Sequence, residues 1–469
     1  MRHFILPLTI IMFSFLSPLE GQVVKPTDYK KLSRDIFKEL IEINTTEARG
    51  STSAAEAMAK RLKLAGFGEN DIILAGPGPQ HMNLVARLKG KGTKSPVLFI
   101  SHLDVVEALP QDWSFDPFIF RESDGFFYGR GTTDIKNEDA DLVTNLIRLK
   151  QEGFIPDRDI IVALTENEEG GDANGVMWLL ANRRDLINAE FCINPDGGGG
   201  ESKNGKETTM TIQTSEKVYS DYTMESHNKG GHSSLPVKDN AIYEIAGALT
   251  RLSAYEFPVK LNETTRMFFE RKALMETGQT KDDMLAVSRI NSDTSAANRL
   301  AKGSAYFNSM MRTTCVATRI NGGHANNALP QSVTVNINCR ILPDDNPQQV
   351  TNILKSVIND PLIDLQCTYA GVAGPISLLR KDVTGAVEEI TRSMWPGVVV
   401  TPVMGTGATD GKFLRIVGIP VFGVSGMFGD VDDVRAHGRD ERIGTKEFDN
   451  GVEFMYRLMK MLSGSMATN

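Results

Sequence analysis

Seven side chains able to bind a metal or move a proton sit at or near the ends of apolar runs. SHLDVV (101–106) carries His102 and Asp104, GRGTTDIK (129–136) carries Asp134, and TENEEGG (165–171) carries Glu168 and Glu169. INPDGG (193–198) and AHGRDER (436–442) add Asp196 and His437. A lone acid after a strand is usually a helix cap or a turn residue. Three clusters after strands, including an adjacent acid pair and a His-x-Asp pair, are hard to explain that way. Imidazole nitrogen and carboxylate oxygen are ligands that suit zinc. Two cations about 3.5–4 Å apart can share a bridging carboxylate and polarise one water. That water still needs a base that is not itself a ligand, and a Glu-Glu pair can divide the two jobs. In His-x-Asp the acid is placed to accept the second ring N–H of a ligand histidine. Without Asp104 and Glu168, the set makes two metal-binding groups sharing one carboxylate, the equipment of a two-metal hydrolase.

Such a set works only if the elements behind it converge. Residues 28–66 read as helical, with Ile36, Leu40 and Ile43 on one face and a second helix from about Ser53 to Gly66. Apolar strands are expected at Asn83–Leu88, Val97–Ile100, Ile160–Leu164 and Phe191–Ile193, with a helix over Asn137–Glu152 between the second and third. Continuous apolar strands alternating with helices indicate an α/β domain with a mostly parallel sheet covered on both faces. Ligands bind such sheets beyond the carboxyl ends of the strands. His102 follows VLFI, Glu168 follows IIVAL and Asp196 follows FCI, so three strands deliver polar groups to one edge.

The pattern then changes. Apolar and polar residues roughly alternate over 207–226, as in a strand with one wet face. A helix (Asn240–Ser253), strands near 313–320 and 332–341, a helix near 347–359 and a strand near 363–369 complete a βαββαβ order. That order fits a small α+β (ferredoxin-like) domain with its helices on one face of an antiparallel sheet. Residues 255–310 read as a helical insertion with no functional assignment. The α/β character returns with a helix near 381–394, strands at Val398–Val403 and Val421–Val424, and a last helix at 446–462. The expected division is therefore a catalytic domain in two parts (22–213 and 376–469) around an inserted lid and dimerisation domain (214–375).

The 469-residue length favours two domains. A net charge of −8 with no basic cluster argues against nucleic-acid binding. Arg2 followed by an apolar stretch from Phe4 to Leu16 and then SPLEGQ has the form of a secretory signal peptide over 1–21, with an uncleaved anchor as the alternative. The processed chain is then expected to be periplasmic or secreted, without a membrane span. The four cysteines, Cys192, Cys315, Cys339 and Cys367, show no Cys-x-x-Cys spacing. Export would permit disulfides, but buried free thiols are the default reading, and Cys192 reads as core.

Taken together the motifs resemble the co-catalytic di-zinc peptidase and aminoacylase family. That family includes glutamate carboxypeptidase, aminoacylase, succinyl-diaminopimelate desuccinylase, peptidase T, carnosine dipeptidases and yeast carboxypeptidase S. The resemblance runs from about residue 30 to the C-terminus, with the motifs in family order. It implies that His102 and Asp196 bind one zinc, Glu169 and His437 the other, and Asp134 both; cobalt or manganese could occupy the same sites. It implies Glu168 as general base, Asp104 as the group orienting His102, and a cis peptide bond after Asp134. GGHSSLP (230–236) resembles the family's lid motif, whose histidine, here His232, reaches into the partner subunit's site and stabilises the oxyanion. A homodimer follows from that role. NALP (327–330) and NCRILP (338–343) resemble the lid segments that hold the substrate carboxylate, giving Asn327 and Arg340. An Arg fork suits that task. Read without the resemblance, His232 is a turn or cap residue and Arg340 a surface strand residue. GTGATDG (405–411) resembles a substrate-contacting loop in which Thr409 stands where the family commonly has Ser.

The fourth carboxylate separates branches of the family. Glutamate carboxypeptidase and aminoacylase have Glu there, whereas peptidase T, carnosine dipeptidases and carboxypeptidase S have Asp, as here at Asp196. The resemblance therefore implies hydrolysis of dipeptides or short peptides by a dipeptidase, another exopeptidase or a carboxypeptidase. An N-acyl-amino-acid amidohydrolase is the alternative.

Overall fold

The computed structural model describes residues 27–170 and 174–464. The segment read as a signal peptide lies outside them. Among the described residues, no helix is long and apolar enough to cross a membrane.

The central sheet has six strands in the order Ile72–Gly78, His81–Leu88, Ile160–Thr165, Val97–His102, Phe191–Ile193 and Val421–Phe422. The last four run parallel, and the first two form an antiparallel edge. Val97–His102 and Ile160–Thr165 are buried at every position, which is why they read as unbroken apolar runs. Their side chains alternate between two cores. Val97, Phe99, Ile160 and Val162 pack with the helices Tyr29–Glu42, Lys136–Gln151, Lys381–Met394 and Thr445–Ser463. Leu98, Ile100, Ile161 and Ala163 pack with Val176 and Leu179 of the Gly175–Asn182 helix, and Cys192 lies on this side. Each fully buried aliphatic or aromatic side chain contributes about 1.5–3 kcal/mol. The two-sided burial therefore fixes the register of the strands that carry the acids.

The lid sheet is all antiparallel, in the order Thr314–Gly322, Ser332–Ile341, Val218–His227 and Ile363–Ala370. Alternate residues of Ser332–Ile341 and Val218–His227 are buried against the helices Ala241–Ala254 and Pro347–Ile358. This is the expected α/β fold with an inserted α+β unit.

Three features differ from or add to the sequence reading. The single strand expected over 207–226 is two, Lys206–Glu216 and Val218–His227. The first lies in a separate four-stranded sheet with Val399–Gly405, Gly199–Lys203 and Phe428–Asp430; the second lies in the lid. At the junction the Lys217 N–H donates to the Gly405 carbonyl, and Nζ to the Arg312 carbonyl. Cys315 and Cys339 form a disulfide instead of remaining free thiols. They face each other on neighbouring strands with Cα atoms 4.1 Å apart, a pairing set by register and hidden from linear spacing. The insertion folds as helices Glu263–Lys272, Gly278–Val287, Thr294–Gly303 and Ala305–Met311. Phe268, Phe269, Met284 and Met310 pack in one cluster with Val403 and Met404, bracing the strand that leads into the Gly-rich loop.

Candidate active site

Val97–His102, Ile160–Thr165 and Phe191–Ile193 are parallel, so their carboxyl ends share one edge. His102 is the last residue of the first strand, Glu168 and Glu169 follow the second, and Asp196 lies in the short turn Pro195–Gly197 after the third. Asp134 precedes the Lys136–Gln151 helix through a cis bond to Ile135. His437 arrives from a loop with its backbone at φ +61°.

These side chains form two groups. His102, Asp134 and Asp196 place one ligand atom each within 4.8 Å of one another, and so do Asp134, Glu169 and His437. His102 Nε2 lies 3.2 Å from Asp134 Oδ1 and 4.0 Å from Asp196 Oδ1. His437 Nε2 lies 3.1 Å from Asp134 Oδ2 and 3.0 Å from Glu169 Oε1. Asp134 thus offers one oxygen to each group.

The donor chemistry fits a cation. His102 Nδ1 is 3.0 Å from the Asp104 carbonyl. A carbonyl only accepts, so Nδ1 carries the proton and Nε2 presents a lone pair. Buried Nε2 has no hydrogen-bond partner among the described residues. Orientation of His102 by Asp104 therefore runs through its backbone oxygen. The Asp104 carboxylate, expected to take that role, lies 3.7 Å from the ring. It accepts instead the N–H groups of Glu168 and Glu169 at 3.0 and 2.9 Å. The short Asp side chain reaches the next strand's turn more directly than it reaches the ring in plane.

The crowd of acids shifts their protonation. Burial, with Asp134 among the neighbours adding to it, pushes Asp196 up to about 8. Burial and then Asp196 push Glu168 well above the usual carboxylate range. Burial acts upward on Asp134 as well, yet the neighbouring imidazoles of His102 and His437 hold it well below that range. Hydrogen bonds to Asp134 and Glu169 raise His437 to about 10. Uncompensated carboxylates at a buried edge hold protons, and a bound dication reverses that preference.

A cleft of about 840 Å³ opens over this edge, lined by Asp134, Glu168, Glu169, Asp196 and His437. From the lid it receives Arg340, Tyr219 and Tyr369, and residues of the loop 405–409 also line it. The Arg340 guanidinium sits 4.7 Å from the centre of the Tyr219 ring. Thr409 is turned into the protein, where its hydroxyl donates to Glu216 Oε2 at 2.8 Å. Glu216 also pairs with Arg415 at 2.8 Å, so Thr409 anchors the loop. Asp410, next in the same motif, is buried, accepts from Asn174 Nδ2 at 2.5 Å and is pushed up to about 6 by burial. Neither Glu216 nor Asp410 is singled out by the sequence reading. Asp410 at least lies inside GTGATDG, whose glycines mark a loop.

His232 and Asn327 are brought together with each other and not with the ligand groups. His232 pairs with Ala328 across two short strands, its Nδ1 lies 2.7 Å from Ser234 Oγ, and Ser233 N–H donates to the Asn327 carbonyl at 3.0 Å. Both residues are exposed on the lid and neither lines the cleft of its own chain.

A family profile described as "Peptidase family M20/M25/M40" matches residues 98–461. The human N-fatty-acyl-amino acid synthase/hydrolase PM20D1 is 26% identical over 373 residues, which are 78% of this chain and 74% of the human protein. A probable carboxypeptidase S-like 2 of Dictyostelium discoideum is 27% identical over 380 residues, 78% of this chain and 71% of that protein. Among solved structures, the M20 family metallo-carboxypeptidase Sso-CP2 from Sulfolobus solfataricus shares the fold. Its TM-score is 0.69 at 16% identity, over 92% of this chain and 99% of that one.

Proposed function

The chain belongs to peptidase family M20/M25/M40, a family of metal-dependent peptidases and amidohydrolases, and from that premise we propose an exported di-zinc hydrolase of short peptides. It would act as a dipeptidase, another exopeptidase or a carboxypeptidase, on a substrate whose leaving residue carries a free carboxylate. The observation that carries this reading is the pair of ligand groups sharing Asp134, beside Glu168, in a cleft that also contains Arg340.

Zinc, or cobalt or manganese in its place, held by His102, Asp134 and Asp196 and by Asp134, Glu169 and His437, would supply Lewis acidity toward the scissile carbonyl and the attacking water. Glu168 belongs to neither group and lines the cleft. It takes the proton from that water and returns it to the leaving amine. Asp104, by accepting two N–H bonds, holds Glu168 and Glu169 in their separate tasks. Arg340 holds the carboxylate of the leaving residue by a bidentate contact. His232 and Asn327, exposed on the lid, would complete the site of a second copy, making the enzyme a homodimer with His232 stabilising the oxyanion. In this reading residues 22–213 and 376–469 form the catalytic domain, residues 214–375 the lid, and residues 1–21 a signal peptide. The Cys315–Cys339 disulfide agrees with export to an oxidising compartment.

A second reading, hydrolysis of N-acyl amino acids, is favoured by a further cavity of about 620 Å³ whose wall includes Asp196. Phe126, Ile135, Met427, Phe428, Val431 and Ile443 are in its wall, a surface suited to an uncharged acyl group. The test is a panel of dipeptides, their C-terminal amides and N-acyl amino acids on the zinc-loaded protein. Dipeptides are expected to turn over, with about 100-fold lower kcat/KM once the carboxylate is amidated. Exclusive cleavage of N-acyl amino acids would replace the first reading by the second.

A further inference from the structure

The stretches that carry Asp134 and His437 each hold a charged residue the chemistry has not used: Arg130 in GRGTTDIK and Glu441 in AHGRDER. Both are buried, at 2% and 0% exposure. Arg130 Nη1 donates to Glu441 Oε2 at 2.7 Å. Desolvation offsets the attraction within a buried pair, so pairing alone is a weak reason to keep it.

What else the pair holds is more telling. The Glu441 carboxylate accepts the N–H groups of Gly131, Thr133 and Asp134 at 3.2, 2.7 and 3.2 Å, and the Thr133 hydroxyl at 2.9 Å. Its backbone carbonyl accepts the Gly129 N–H at 3.1 Å. Arg130 Nη2 reaches back to the His437 carbonyl at 3.4 Å. One carboxylate and one guanidinium therefore tie the loop of the shared Asp134 to the loop of His437. That tie matters because His437 is an exposed side chain on a left-handed backbone. Its ring meets Asp134 and Glu169, both of them members of its own ligand group. His102 and Asp196, by contrast, are placed by strands of the central sheet.

We propose that Glu441, acting with Arg130, is a positioning residue that presets the Asp134–Glu169–His437 group and leaves the His102–Asp134–Asp196 group largely to the strands. The inference rests on the two-metal reading above and deepens it, because it makes the two groups unequal in what supports them.

The test is calorimetric titration of metal-free wild type, Glu441→Gln and Arg130→Lys with zinc, alongside steady-state kinetics. Wild type is expected to take up two equivalents. Glu441→Gln should bind the first within about threefold of wild type and the second about 10–100-fold more weakly, the usual cost of losing a group behind a metal ligand. Its kcat should recover at saturating zinc while KM stays near the wild-type value, a split that general destabilisation would not produce. Arg130→Lys keeps the charge pair, and with it the fold, if Glu441→Gln does not fold. It cannot reach both partners and should weaken the second equivalent about threefold to tenfold. Equal affinities in variants and wild type, or both equivalents weakened alike, would overturn the proposal. A wild type that takes up fewer than two equivalents would overturn the two-metal reading and this inference with it.

Discussion

On the central sheet the groups of the site are tied to backbone: His102 to the Asp104 carbonyl, and Glu168 and Glu169 through their N–H groups to the Asp104 carboxylate. On the lid, His232 meets Ser234, and Asn327 offers its backbone carbonyl. The first region is a finished constellation whose geometry does not wait for substrate. The second presents exposed groups that stand apart from the ligand groups and from the cleft of their own chain. Arg340 stands between the two, stacked near Tyr219 and facing the cleft. The metal-binding groups thus lie at the ends of strands held by two-sided burial and on the loops beside them, whereas the lid groups lie at an exposed edge.

Variants can break or sharpen that contrast. Glu168→Gln should lower kcat by about 10³-fold, within the range for general bases, with unchanged zinc content and melting temperature; near-normal turnover would remove Glu168 from the proton transfer. His232→Ala should lower kcat by about 10²-fold, the loss expected for one oxyanion donor, and leave metal binding intact. Mixing His232→Ala with Glu168→Gln should restore part of the activity if the histidine serves a second copy, with subunit exchange followed by solution mass. Arg340→Met should raise KM about 30-fold for substrates with a free carboxylate and much less for amidated ones.

The smallest effect concerns the densely tied region alone. The first turns of the Lys136–Gln151 helix bury Lys136, Glu138, Asp139 and Asp141. Burial raises Asp139 from 3.8 to about 8, with Ser101, His102 and Lys136 pulling it down. The folded protein then holds a proton that the unfolded chain releases above about pH 4. Stability from this group is therefore full below about pH 4 and is lost as pH rises to about 8. Asp139→Asn should flatten that slope and stabilise the protein by about 1–3 kcal/mol at pH 8, read by urea unfolding across pH; an unchanged slope would assign it to another group.

These buried charges also mark where the sequence stops being legible. The strand ends are readable because an apolar run closing on His102 or Asp196 is the pattern of a buried strand that ends at a polar edge. The helix after Asp134 is readable through Leu142, Val143, Leu146 and Leu149. Its buried acids are not, since a charge on a helix is normally a solvated face. Arg130, Glu441 and Asp410 lie inside motifs that other residues make conspicuous. Only contacts between loops distant in sequence reveal what they hold. The Cys315–Cys339 bond and the break at Lys217 stay hidden for the same reason, as register and sheet membership are properties of pairs of strands. The carbonyl route from Asp104 to His102 shows the converse: residue type identifies the partner, and three-dimensional placement decides which atom does the work.

The central claim is that two ligand groups sharing Asp134 make this chain a two-metal hydrolase. It is tested most directly by adding zinc stepwise to metal-free protein and following amide hydrolysis at each addition. Two equivalents bound per chain, with hydrolysis absent at the start and complete only as the second binds, is the expected result. Hydrolysis undiminished in metal-free protein, or saturation at one equivalent with full activity, would contradict it.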